Sequence, residues 1–465
     1  MIARDDALGD AAAAAALTRA AVGNGARFVW CYADVVERRT VLRYVVEENG
    51  ALVTHSGVAG DVVPSLDLAA ARWHERELVD RWSVRIEPAP AGGSPLTPGP
   101  ADAYRRAWSP EVSAVLYGPI RSGIGESARW VIETAGEDFI AVEPSFGYKR
   151  RGLEERFVGL SVELAPFVAE HVSGATAVSH ATAFARAVET AGKIDVPLRA
   201  QAARSMLVEF ERIHQHLDAL AKLADDASLS VGSAQTFAAK ERVHRLLAEG
   251  TGNRFARAVV CVGGTRFDAF ASMAQACSQS LDRVESEATG VVDALFATPS
   301  LIDRLVGTGR LAPELVREYA AVGPVARGSG VACDVRASGG AIYADQEADE
   351  ALRSDGDALA RAHVRRDEIR RSFRIVRNAL DAAPGGEWRS HAGEIERGAG
   401  MARVESPQGE LLYAVRIEGG IRRVAIRSAS FQNWPLFVPA LPGNIFTDFS
   451  FIEHSFGLIV AETDR

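Results

Sequence analysis

The pattern of apolar and polar positions changes character along the chain. An Ala-rich segment, Asp10 to Ala21, is expected to be a helix with Asp10 as its N-cap. The runs ARFVWCYADV, TVLRYVVEE and ALVTHSGV follow, and their alternation and aromatic content predict strands. ARWHERELVDRWSVRIE then returns to a charged, helical pattern. Pro88 to Arg106, PAPAGGSPLTPGPADAYRR, is rich in Pro, Gly and small residues and reads as a linker. YGPIRSGIGESARWVIETAGEDFIAVEP reads as strands and turns, and from Pro144 onward the chain is mostly helical. Pro197 to Leu223 carries the 3.6-residue period, with Leu207, Phe210, Ile213, His214 and Leu217 on neighbouring faces. The closing VESPQGELLYAVRIEGGIRRVAIRSASFQNWP is strand-rich, with turns at Pro407-Gln408-Gly409 and Gly419-Gly420. The fold class expected is α+β: an N-terminal α+β domain over 1–87, a linker over 88–109, and a large, mainly helical domain with β-rich edges over 110–465.

Composition supports this outline. The 465 residues are 47% hydrophobic and 24% charged, enough for a large core and two or three domains. A net charge of −9 disfavours a nucleic-acid partner. The four cysteines, Cys31, Cys261, Cys277 and Cys333, have no CxxC spacing, so no zinc or iron–sulfur ligand set is expected from them. The start, MIARDDALGD, has no apolar core of a signal peptide, and no apolar run approaches the ~20 residues of a membrane span. A cytoplasmic chain, attached to a membrane only through partners, is the expectation.

The most informative stretch is Glu170 to His180, EHVSGATAVSH, lying between two helical segments. Ser173, Gly174, Ala175 and Thr176 are small, so another piece of backbone can approach. The candidate is the C-terminal SFGLIVAETDR, Ser455 to Arg465. These segments resemble the large subunit of membrane-bound, formate-hydrogenlyase-type nickel–iron hydrogenases. They also resemble the homologous 49 kDa quinone-site subunit of respiratory complex I. The hydrogenase stretch reads ERVCGICSFSH, and a second motif, DPCxxCTDR, closes that chain. Four cysteine thiolates from the two motifs hold nickel and iron there. The matching positions here are Ser173, Thr176, Ile459 and Glu462, and none is a thiolate. The resemblance implies an inherited frame with no metal bound, since soft metals need thiolate ligands.

Further blocks extend the likeness over about 26–87 and 117–465. PLRAQAARSMLVEFERIHQHL retains Glu209, Glu211 and Arg212 of a family helix, and TGNRF, VGG and GPVARGSGVACDVR match other blocks. Glu75-Arg76-Glu77 with Asp80 resembles the signature of the complex I 30 kDa subunit, which hydrogenlyase large subunits carry fused at the N-terminus. In YGPIRSGIGE, Arg121 stands where the family has His, and Glu126 matches its acid.

The resemblance implies a subunit of a membrane-associated respiratory complex. Its partners would be a small iron–sulfur subunit carrying a 4Fe-4S cluster and antiporter-like membrane subunits, and the acceptor a quinone or similar molecule. No cofactor is expected on the chain itself. The candidate catalytic residues are His180, Glu462 and Glu126. Arg121, Ser173, Thr176 and His171 are expected to line the cavity. Two donors that the complex I branch offers a quinone are missing: the positions fall at Gly125 and about Val168, with Phe167 beside it. Glu462, in a former metal pocket, is expected to have a raised pKa, or else to fray into solvent with the last three residues. Each of these residues also has a plain role in packing, in a turn or, for Arg121 and Glu126, in a surface or inter-subunit pair. Two ExxH spacings, Glu211/His214 and Glu241/His244, match the helices of a di-iron bundle, with Glu154, Glu163 and Glu368 available as further ligands. Exposed charged faces explain the same spacings. Two functions follow: an electron-transfer subunit passing electrons to a quinone, or a redox-inactive subunit coupling a soluble module to ion-translocating membrane subunits.

Overall fold

The computed structural model describes residues 8–90, 94–98, 112–121, 126–338, 343, 351–391 and 393–465. The expected linker falls largely outside them. Helix α1 (Ala11–Gly23) begins where expected, with the Asp10 carboxylate accepting from Ala12 N. Strands β1 (Arg27–Val36), β2 (Arg39–Glu48) and β3 (Ala51–Val58) form an antiparallel meander. Both of its hairpins turn on two residues with positive φ, Glu37-Arg38 and Asn49-Gly50. Such turns twist with the flanking strands, and Asn-Gly is their commonest sequence. Helix α2 (Arg72–Trp82) crosses this sheet and buries Trp73, His74, Glu75, Glu77 and Leu78.

Gly9–Asp10 adds a short parallel strand beside β3, and a separate three-stranded sheet, β4 (Ser113–Tyr117), β5 (Arg129–Ala135) and β6 (Asp138–Ser145), precedes the helical body. That body is built from α3 (Ala177–Gly192), α4 (Leu198–Asp226), α5 (Ser230–Thr251), α6 (Ala269–Phe296) and α7 (Ala358–Ala382). Helix α4 is buried nearly all round, with Leu207, Phe210, Ile213 and Leu217 at 0% exposure. Its place at the centre of the main core follows from that, because an all-round buried helix needs neighbours on every side. Strands β7 (Arg397–Ser406), β8 (Gly409–Glu418) and β9 (Ile421–Arg427) form the closing sheet. Two short helices end the chain, α8 (Phe449–Phe456) and α9 (Val460–Thr463). The α+β class is as expected.

The N-terminal and closing sheets pack on each other. Val29, Trp30, Tyr32 and Val45 meet Leu412, Ala414 and Ala425 in one buried cluster. Arg27 crosses the seam to Glu410 at 2.9 Å, and Arg416 crosses it to Asp34 at 2.9 Å. Gly323, at the head of the GPVARGSG block, has φ +64 and lies against the Gln408 carbonyl, where a Cβ would collide. Among the described residues no helix is long and apolar enough to cross a membrane.

Candidate functional site

The stretch from Glu170 to His180 is a turn followed by the first residues of α3. The opening amides of a helix have no partner inside it. Here Glu211 of α4 supplies one: its carboxylate accepts from Val178 N at 2.7 Å and Ser179 N at 3.0 Å, and from Ser179 Oγ. Burial pushes Glu211 up to about 7. The Ser179 hydroxyl and the two amides pull the other way, while nearby Glu462 adds to the rise. Glu170 is also raised to about 7 by burial, against the pull of its bond from Ala258 N at 2.8 Å.

The two motifs meet as expected. Thr176 Oγ1 donates to Glu462 Oε1 at 2.6 Å, and Ser430 Oγ donates to Oε2 at 2.7 Å. His180 Nε2 stands 3.5 Å from Glu462 Oε1, an ion-pair distance without hydrogen-bond geometry. Its Nδ1 lies 2.7 Å from the Tyr413 hydroxyl. None of these groups is more than 2% exposed. Contact between the motifs is made by side chains: Gly174 faces the Arg257 guanidinium, not another backbone.

The expected rise of the Glu462 pKa is corrected. Burial does push it up, but His180, Thr176 and Ser430 outweigh burial and hold the carboxyl below its ordinary value. The fraying alternative also fails. Asp464 accepts from Gly147 N at 2.7 Å and Lys149 N at 2.8 Å, and Arg465 pairs with Glu77 at 2.7 Å and Glu154 at 2.9 Å. Glu77 belongs to the ERExxD segment, so that segment grips the end of the chain. Its Glu75 accepts from Leu66 N at 2.6 Å and Ser65 Oγ at 2.8 Å.

The other predicted residues lie around this cluster, not in it. Glu126 accepts from Val460 N and Ala461 N, and so holds the first turn of α9. Arg121 pairs with Glu453 at 2.8 Å and donates to the Glu126 carbonyl at 2.9 Å. Within the chain the Arg121 guanidinium thus meets the Glu126 carbonyl, while the Glu126 carboxylate serves α9. Ser173 is buried, and its Oγ accepts from Ala175 N at 3.3 Å, a local turn bond. His171 is exposed, with Nδ1 2.5 Å from the Phe167 carbonyl, and does not face Glu462. Gly125 lies outside the described residues.

The donor set does not suit a nickel–iron centre. Ile459 offers no ligand, the Glu462 oxygens are spent on the Thr176 and Ser430 hydroxyls, and none of the four positions carries a thiolate. All four cysteines lie elsewhere, and burial pushes the Cys277 and Cys333 thiols up to about 12. The di-iron arrangement does not assemble either. Glu211 serves α3, Glu241 pairs with Arg254 and Arg245, and Glu368 pairs with Arg327 at 2.6 Å. The His214 and His244 rings lie 4.4 Å apart between centroids, tilted by 38°, and both are pushed toward the neutral form, chiefly by burial.

Sequence reasoning missed a buried ionic network beside the cluster. Glu368 on α7 sits 2.7 Å from His216 Nε2 and 2.6 Å from Arg327, and Arg327 also reaches Glu405 at 2.8 Å. Arg336 bridges Asp334 at 2.6 Å and Glu209 at 3.3 Å, and Arg212 meets Glu209 at 3.1 Å. Arg327, Asp334 and Arg336 all come from the GPVARGSGVACDVR block. Charges set among Gly, Ala and Val were the available signal.

Two motifs closing on each other around a buried carboxylate, on a long-helix body with a sheet at its edge, define a hydrogenase-type large-subunit frame whose thiolate positions carry other side chains. The chain belongs to the 49 kDa subunit family of the respiratory-chain NADH dehydrogenase, whose model matches residues 228–397 and 388–465. It is 29% identical to formate hydrogenlyase subunit 5 of Escherichia coli K12, over 76% of this chain and 63% of that protein. It is 29% identical to the membrane-bound hydrogenase subunit alpha of Pyrococcus furiosus, over 76% of this chain and 87% of that one. With an NADH-quinone oxidoreductase subunit of Desulfotalea psychrophila it shares 30% identity, over 62% of this chain and 80% of that one. The chain thus spans less than two thirds of the hydrogenlyase subunit's length.

Proposed function

We propose that this chain is the large subunit of a membrane-associated respiratory complex, held at the inner face of the cell membrane by its partners. In this reading residues 1–87 form the 30 kDa-like part and 110–465 the large-subunit part. The chain docks a small iron–sulfur subunit, and electrons pass from that partner's 4Fe-4S cluster to a quinone or similar acceptor. No metal takes part on this chain. The observation that carries the reading is the cluster of Thr176, His180, Ser430 and Glu462, which ties the two family motifs together without metal. His180 and Glu462 form a buried acid–base pair at the place where the hydrogenase branch handles hydrogen. Such a pair can hold a proton beside a reacting partner, provided both groups keep their geometry.

One observation favours the second reading, a redox-inactive coupling subunit contacting antiporter-like membrane subunits. Thr176 and Glu462 bond directly, so the space between the motifs is closed. The test uses the purified complex. The partner's cluster is reduced and its reoxidation by added quinone is followed by electron paramagnetic resonance, in the parent and in Glu462→Gln and His180→Ala. Electron transfer predicts quinone-dependent reoxidation that slows in the variants without loss of assembly. Absence of quinone-dependent reoxidation sinks it, and unchanged turnover in both variants favours the coupling role.

A further inference from the structure

We infer that the seam between the N-terminal sheet and the end of the chain is a binding site for a small phosphate-bearing anion. A cavity of about 270 Å³ opens there, away from the Glu462 cluster. Six arginines line it: Arg81, Arg150, Arg416, Arg422, Arg423 and Arg465. Four carboxylates share the wall, and each already has a cation. Asp34 pairs with Arg416, Glu155 with Arg150, Glu154 with Arg423 and Arg465, and Glu77 with Arg465 and Arg81. The wall therefore carries two more positive than negative side chains, in a protein whose net charge is −9.

The surplus appears as unspent donors. Arg465 is 2% exposed; its Nε and Nη2 serve Glu154 and Glu77, and its Nη1 meets no acceptor among the described residues. Arg81 gives Nη1 to Glu77, while its buried Nη2 likewise meets none. Arg422 donates only to the Glu418 carbonyl and touches no carboxylate among the described residues. The buried Arg465 and Arg81 N–H groups lie behind the wall and keep it positive, while the exposed Arg422 offers its fork to a ligand that accepts charge-assisted bonds. A phosphate dianion matches both the surplus charge and the fork geometry. At roughly 30 Å³ per water the space holds several waters, so a phosphate carrying a small organic group fits. The indole of Trp82, with the Arg423 guanidinium 5.0 Å from its ring centroid, lies on the same wall and reports on occupancy.

The test titrates the full chain calorimetrically, with tryptophan fluorescence read in parallel and ionic strength held constant with sodium chloride. Three arms use inorganic phosphate, glycerol phosphate, and vesicles containing phosphatidylglycerol. Saturable binding of either soluble phosphate, with a fluorescence change, is expected. The Arg81→Gln/Arg422→Ala double variant keeps the buried Arg465 pairs, and its folding is checked by circular dichroism and thermal melting. Its affinity is expected to fall about tenfold or more, and Arg465→Gln should abolish binding. The inference is overturned by no saturable binding in the soluble arms, by binding to vesicles alone, or by unchanged affinity in the double variant.

Discussion

Replacing Glu211 by glutamine tests whether a buried carboxylate at the head of α3 is held in its protonated form. Glu211 is buried and accepts two helix amides and a hydroxyl, yet no cation pairs with it among the described residues. Burial therefore wins, and its carboxyl is raised from 4.5 to about 7. A raised acid adds stability in its protonated state. That contribution is complete below pH 4.5 and is lost as pH rises through about 7. At about 1.4 kcal/mol per pH decade, the shift amounts to roughly 3 kcal/mol across this window. The amide of the Glu211→Gln variant cannot ionise and keeps one carbonyl for the helix amides, so it resembles the protonated acid. Urea unfolding of parent and variant between pH 4.5 and 8 is the assay. The variant is expected to be the less stable of the two at pH 4.5, or equal to the parent, and to gain on it by roughly 3 kcal/mol by pH 8. An infrared carboxyl band titrating near 7, absent in the variant, identifies the group. Parallel stability curves refute the reasoning, since they mean that Glu211 is ionised throughout.

Two further outcomes follow from the ionic network and the buried histidines. Glu368→Ala takes the carboxylate from buried His216 and one of two close carboxylates from Arg327, which keeps Glu405 at 2.8 Å; it is expected to cost about 1–3 kcal/mol, read from the urea midpoint, and an unchanged midpoint refutes a structural role for the pair. His216 and His244 are pushed down to about 4, chiefly by burial. Their neutral forms stabilise the fold above pH 6.5, and that stability is lost as pH falls toward 4. His244→Phe should therefore flatten the acid limb of the stability curve, and an unchanged limb assigns it to other groups.

Much of this architecture was legible in the chain itself. The 3.6-residue period over 197–223 became α4, and Asp10 caps α1 as read from the sequence. Resemblance placed Thr176 opposite Glu462 because a motif spacing carries over even when its chemistry does not. Side-chain partners were not legible. Tyr413 reaches His180 from 233 positions away, and only the folded sheet brings it there. The sign of the Glu462 shift depended on whether hydroxyls and an imidazole offset burial, which no local pattern encodes. Arg327, Arg336 and Glu368 were hidden for a related reason: charged residues are read as surface, and burial of a charge is tolerable only when distant residues supply its partner.

The four positions matched to the hydrogenase thiolates carry Ser173, Thr176, Ile459 and Glu462 here. In the hydrogenase pattern the metal also ties the turn before α3 to the last residues of the chain, and such a tie opposes the fraying of a terminus. Here that tie is divided among several weaker contacts. Thr176 and Ser430 hold Glu462, Glu126 holds the first amides of α9, two amides hold Asp464, and Glu77 and Glu154 hold Arg465. Each is worth on the order of 1–3 kcal/mol at most, yet all act within the closing segment, Val460 to Arg465. Glu77 is the revealing member. It comes from the N-terminal helix α2, so the end of the chain now depends on a segment far earlier (388 positions for the Arg465–Glu77 bond). The closing segment is thus tied to the turn before α3 and to α2 by side-chain contacts.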